Sequence, residues 1–258
     1  MVCGRREGGR TQFVPWRCGD VAKGATEERK KVDAVERALS ILDVFSENDV
    51  RLSLTEIAKR TGLYPSTTLR LAGSLEYWGY LRRDADGHFR LGPTVLRLGS
   101  LYRDSFDLGE VIRPALKRLS EASGETAAFY VREGEDRVCL YRHHSKHPLR
   151  HHIEEGVRLP LDRGAGGHVL MAYTGGDTEI HRQVRAEGYR ASFGERDPET
   201  VAVSVPVFGA GGAFLGALTL VGTRTRITEE SVPGLIELLR GEAAQLQEEL
   251  DGRRTVRA

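Results

Sequence analysis

The chain has almost no net charge: 38 Lys and Arg against 37 Asp and Glu leave +1 over 258 residues. That excludes a globally basic nucleic-acid binder, so any basic surface must be local. Cysteine is scarce, and Cys3, Cys18 and Cys139 stand at no ligand-like spacing. An odd count is a poor disulfide framework, and a cytoplasmic protein is expected. No apolar run approaches the ~18 residues of a membrane span, so no membrane partner is expected either. The early arginines are followed by no apolar core, which argues against a secretory signal. Residues 1–28 are rich in Gly, Arg and Lys and lack periodicity. They are expected to be a disordered arm, or the product of an upstream start codon chosen in error. The remainder is ordinary for a globular chain, 40% hydrophobic and 29% charged overall, with length for one large domain or two modest ones.

What is present begins at Val32. In VDAVERALSILDVF, residues Val35, Leu39, Leu42, Val44 and Phe45 fall at helical spacing. Two short helical segments follow, separated by Thr61-Gly62-Leu63. The first is expected to bury Leu54, Ile57 and Ala58, the second Thr68, Leu71, Ala72, Leu75 and Trp78. Leu81, Phe89 and Leu91 then flank Asp86-Gly87, a strong hairpin signal. Gly92-Pro93 opens a helix over residues 94–106 with Val95, Leu98, Leu101 and Tyr102 on one face. Beyond it the pattern is mixed: a helix over 108–123, strands TAAFYVRE and DRVCLYRHH, a glycine loop before the helix HVLMAYTG, strands TVAVSVPVF and GALTLVGT, and a helix over 232–250. Helix, hairpin, helix, hairpin, helix in succession predicts an α+β fold with an antiparallel sheet.

Helix, tight glycine turn and a second helix, with a hairpin directly after, is the pattern of a winged helix-turn-helix. Gly62 permits the left-handed turn, and small Ala58 lets the second helix cross closely. In that geometry Ser66 and Thr67 face phosphates or base edges at the head of the second helix, with Leu69 and Arg70 beside them. Arg82, Arg83, His88 and Arg90 lie on the wing. Residues 59–97 hold seven Lys and Arg against three Asp and Glu, a local excess of +4. Hydroxyls at a helix start also serve as caps, so a plain helical hairpin with a capped second helix is the competing reading.

The segments VERALSILDVF, LSLTEIAKRTGL, STTLRL, LEYWGYLRRD, FRLGPTVLRLG and LPLDRGAGG together resemble the isocitrate-lyase-regulator (IclR) family of bacterial transcription factors, from Val32 to Leu250 in order. The resemblance implies a winged helix-turn-helix over 29–92, a linker helix over 93–106 used in dimerisation, a GAF-like effector domain over 107–252, and a tail over 253–258. It implies a homodimer or dimer of dimers on palindromic double-stranded operator DNA, regulated by a small organic or aromatic acid. The chain departs from the family at Thr68, usually aliphatic, and at Tyr64, where a small cap or Pro is common. In the sensor, Glu195 and Thr219 stand at places that bind metabolites. Ala202 and Ser192 occupy slots often held by Cys and Asp, and Val221 one often held by Ser. The expected ligand is therefore larger or more apolar than glyoxylate.

The loop Arg163-Gly164-Ala165-Gly166-Gly167 precedes a helix, so its amides with the Arg163 fork are expected to hold a carboxylate. Ser192, Glu195, Ala202, Ser204 and Thr219 complete the expected effector site; glycines that merely allow tight packing are the alternative. Five histidines, His143, His144, His147, His151 and His152, offer a metal- or pH-responsive alternative, although no carboxylate or cysteine partner stands at standard spacing. Asp162, His168 and Ser204 could be imagined as a hydrolytic triad, but Ser204 lies in a plain strand without a nucleophile elbow. No catalysis, cofactor or metal is expected.

Overall fold

The computed structural model describes residues 32–46, 48–106, 108–148 and 153–256. The expectation for residues 1–28 lies outside them, as do His151 and His152. The chain divides between Tyr102 and Arg103 into two units.

The first unit opens with α1 (Asp33–Leu42), then α2 (Leu54–Thr61) and α3 (Pro65–Tyr77). Helix α2 starts where it does because Ser53 and Glu56 form a capping box. The Ser53 Oγ accepts the Glu56 N–H and the Glu56 carboxylate accepts the Ser53 N–H. It stops at Gly62, whose φ of 71° is left-handed. Strands β1 (Leu81–Arg83) and β2 (Phe89–Leu91) pair antiparallel, Arg82 opposite Arg90. Leu52 exchanges both backbone hydrogen bonds with Phe89, which pins the hairpin to the helices. Ile41, Val44, Leu52, Ile57, Ala72, Leu81 and Phe89 form the core. The apolar stripes are narrower than their spacing predicts. Val35 and Leu39 on α1 are exposed, as is Trp78, because α3 ends before it and Trp78 stands past the packed face. Helix α4 (Pro93–Asp104) buries none of its residues, and Leu96, Leu98, Leu101 and Tyr102 are exposed along it.

In the second unit, α5 (Gly109–Ser123) leads into β3 (Thr126–Glu133) and β4 (Asp136–His143), then β5 (Arg158–Pro160), α6 (Ala165–Tyr173), α7 (Glu179–Glu187), β6 (Arg190–Phe193), β7 (Thr200–Phe208), β8 (Phe214–Thr223) and α8 (Val232–Val256). The six strands lie in the order β5-β4-β3-β8-β7-β6, each pair antiparallel. Alternate residues serve two cores. Phe129, Leu140, Val203 and Leu218 face α5 and α8, while Ala128, Tyr130, Cys139 and Ala217 face α6 and α7. Burial on both faces explains why these strands read as nearly continuous apolar runs. Helix α7 and the short strands β5 and β6 were not legible as elements: RASF and RLP are too brief to show a period, and EIHRQVRAE is mostly polar.

Candidate functional site

Successive residues of α3 rotate by about 100°, so Thr68 and Ala72 turn into the core while Ser66, Leu69 and Arg70 are exposed and Thr67 is partly so. Thr68 is a polar residue with no exposure at all; its hydroxyl is satisfied by donating to the Tyr64 carbonyl at 3.1 Å. Pro65 occupies the first helical position, where the missing N–H removes one group that would need a cap. No side chain caps α3 from Tyr64, and the Ser66 and Thr67 hydroxyls make no hydrogen bond among the described residues. They are therefore not capping groups. Arg70 likewise has no ion-pair partner among the described residues.

On the wing, Asp84 gathers the cations. Its carboxylate accepts Arg90 Nε at 2.7 Å and Arg51 Nε at 3.2 Å, with Arg82 at 3.7 Å. Those arginines, chiefly Arg90, hold its carboxyl below the ordinary range. Arg83 lies over the Phe89 ring at 5.4 Å, and His88 faces Asp86 at 3.3 Å. Arg51 joins this group from 33 residues upstream of Asp84, which no local pattern reveals. The result is a row of exposed guanidiniums on one short hairpin, beside an exposed helix start.

The second unit contains a small cleft, with about 30 Å³ of enclosed space, between the head of α6 and strands β3, β7 and β8. Gly164, Ala165, Gly166, Ser192, Glu195, Ala202 and Thr219, which the family resemblance grouped, line it. Its first amides are already engaged. Gly164 N donates to Glu195 Oε2 at 2.7 Å and Ala165 N donates to Ser192 Oγ at 3.0 Å. Glu195 also pairs with His168 Nε2 at 2.9 Å and accepts Arg190 at 3.0 Å. These bonds, that with His168 foremost, hold its carboxyl down to about 2 against the opposing effect of burial. A side chain at Gly166 would press on Thr219 and the Tyr130 ring, 3.2 and 3.3 Å away, so glycine is what lets the strand residues reach this loop.

Three expected residues stand elsewhere. Arg163 does not line the cleft; its guanidinium turns outward and binds both oxygens of Asp162, at 2.9 and 2.8 Å. Gly167 faces Arg137 and the Leu161 carbonyl, and a Cβ there would collide with both. Ser204 sits behind the wall, donating to the Leu218 carbonyl at 3.1 Å and paired with the Thr219 hydroxyl at 2.8 Å. Val221 lines the cleft at the slot the resemblance names, and the cleft also admits Tyr130, Arg137, Ile153, Arg196 and Thr200. Arg137 is only 4% exposed: it donates to the Arg163 carbonyl at 2.7 Å, lies 5.4 Å from the Tyr130 ring centre, and leaves its Nε–H without a partner. Burial lowers its pKa to about 10. Arg196 is partly buried, its pKa also lowered by burial, and it makes no hydrogen bond or ion pair among the described residues.

The imagined triad is not assembled. Asp162 serves Arg163, His168 serves Glu195, and Ser204 serves Thr219 and Leu218. No group of three or more His, Cys, Asp and Glu is arranged to hold a metal among the described residues. His144 faces the Arg142 guanidinium at 2.9 Å. Cys139 is buried, which pushes its thiol up to about 12. No helix among the described residues is long and apolar enough to cross a membrane.

A winged helix-turn-helix joined by a helix to an α+β domain with a lined cleft defines a ligand-responsive DNA-binding regulator. Residues 34–85 match the IclR helix-turn-helix domain, and residues 100–182 and 177–248 match the bacterial transcriptional regulator IclR C-terminal domain. The chain belongs to the IclR family, DNA-binding transcriptional regulators modulated by small-molecule effectors. The HTH-type transcriptional regulator KipR of Bacillus subtilis is 24% identical over 248 residues, 86% of this chain and 98% of KipR. A transcriptional regulator from Rhodococcus sp. RHA1 is 26% identical, with a TM-score of 0.69 over 85% of this chain and 98% of that one. An IclR homologue from Microbacterium hydrocarbonoxydans complexed with 4-hydroxybenzoate has the same fold at 22% identity, with a TM-score of 0.70 over 85% of this chain and 99% of that one.

Proposed function

We propose that this regulator reads operator DNA with Ser66, Thr67, Leu69 and Arg70 of α3 and with wing residues Arg82, Arg83 and Arg90, and that its effector is a small organic or aromatic carboxylate seated in the cleft below α6. It acts in the cytoplasm as a homodimer or dimer of dimers on a palindromic site and catalyses no reaction. One observation carries the reading of the DNA surface: the side chains of Ser66, Thr67 and Arg70 have no hydrogen-bond or ion-pair partner among the described residues, while the opposite side of the same helix is packed. Groups left open at the head of a helix suit phosphate and base edges. The exposed apolar residues of α4 support dimerisation through that helix, since an unpartnered apolar row is costly to leave in water. The aromatic acid held by the Microbacterium homologue supports the ligand class.

The experiment is titration of Arg70→Ala against operator DNA at several salt concentrations. The substitution should weaken binding, lower the slope of log K against log salt by about one unit, and leave the fold intact. Unchanged affinity with an unchanged slope removes Arg70 from the interface.

A further inference from the structure

The cleft has an imbalance of charge that the glycine loop does not resolve. Its acidic lining residue, Glu195, is consumed by Gly164, His168 and Arg190. Ser192 is consumed by Ala165. The head of α6 is thus closed by the protein's own oxygens, and an incoming anion has no claim on those two amides without displacing them. Two guanidiniums, Arg137 and Arg196, line the same space, and neither forms an ion pair with a carboxylate among the described residues. Arg137 lies 5.4 Å from the centre of the Tyr130 ring, which lines the same cleft. Buried or half-buried cations normally acquire a counter-charge. Arg137 lines the cleft with its Nε–H shielded from water and bonded to nothing. The same cleft is lined by short side chains, Ala202, Val221, Thr200 and Thr219, which leave room for a small body.

We propose that the cleft is a receptor for a small dicarboxylate, one carboxylate held by the Arg196 guanidinium and the other by the Arg137 guanidinium. The proposal rests on the cleft being the effector site and narrows what enters it: two negative charges neutralise two arginines, and a monoacid neutralises one. Arg196 follows Glu195 directly, in the loop between β6 and β7. A ligand that draws Arg196 inward therefore acts on the same loop whose carboxylate closes the head of α6, which ties occupancy to the hydrogen bonds of that helix.

The test uses the full chain and matched probes: dicarboxylates of four to eight carbons and the three phthalate isomers, each beside its monoamide, measured by calorimetry and by operator mobility shift. At least one diacid should bind ten-fold or more tighter than its monoamide. Arg196→Gln should lower that affinity roughly ten- to hundred-fold, the scale of a charge-assisted hydrogen bond. It should also leave the melting temperature of the ligand-free protein unchanged or raised, because the guanidinium bonds to nothing there. A clear fall in that melting temperature would make Arg196 structural and overturn the proposal. Monoamides binding as tightly as diacids, equally in wild type and Arg196→Gln, would overturn it while leaving the carboxylate reading intact. No acid of either kind binding would overturn both.

Discussion

Glu195 shows how one side chain couples chemistry to stability. Its carboxyl is held down to about 2, first by His168 and then by Gly164 and Arg190, from an unperturbed 4.5. A depressed carboxyl stabilises the fold fully above its unfolded value and loses that contribution as pH falls through the folded one. The window is thus pH 4.5 down to about 2. Glu195→Gln should lower the unfolding free energy at pH 7 by about 2 kcal/mol, less than the full linkage because the carboxylate is a quarter exposed. The difference between variant and wild type should vanish toward pH 2, as denaturant titrations across that range would show. The same residue marks the limit of local reading. The family resemblance grouped Glu195 with the glycine loop, but nothing in the sequence says that it would occupy the amides itself. That requires two loops 31 residues apart to meet.

At the scale of elements, two glycines carry different physical duties. Gly62 closes α2 at φ 71° with nothing within 4 Å of an added Cβ, so its requirement is purely conformational. Gly62→Ala should cost about 1 kcal/mol, from the left-handed backbone alone. Gly92 is a spatial requirement, since a Cβ there would collide with the Gly79 carbonyl. Gly92→Ala must therefore displace the wing or the start of α4 and should cost more than Gly62→Ala. Urea titrations of the two variants give the comparison, and equal costs would count against the distinction. The helices, the turn and the wing were legible because each rests on local chemistry: apolar residues at helical spacing, a glycine stop, an Asp-Gly turn. Helix α7 was not, because its outward side is polar and only His181 and Val184 are buried.

For the whole molecule, the proposed effector and operator sites lie in different units of one chain, so their coupling is a single free energy shared by both ligands. The factor by which an effector changes operator affinity must equal the factor by which operator DNA changes effector affinity. Anisotropy with labelled DNA and calorimetry with the effector, on one preparation in one buffer, should return the same factor. Unequal factors would mean that the sites are not linked through a common equilibrium, for instance because oligomeric state changes between the assays.

The sequence by itself determined the family, through the resemblance of its motifs, and also the winged helix-turn-helix and the α+β sheet, because periodicity and turns act over a few residues and survive without knowledge of distant neighbours. It also grouped most of the lining of the cleft. Only the tertiary structure decided which cations enter that cleft. Arg163 adjoins the glycine loop in sequence, yet Asp162 beside it captures its fork and turns it to solvent. Arg137 arrives from β4 and Arg196 from the loop after β6, each positioned by backbone that sequence proximity does not reveal. A long, flexible side chain goes to the strongest partner within reach, and what lies within reach is set by how loops and strands pack around it.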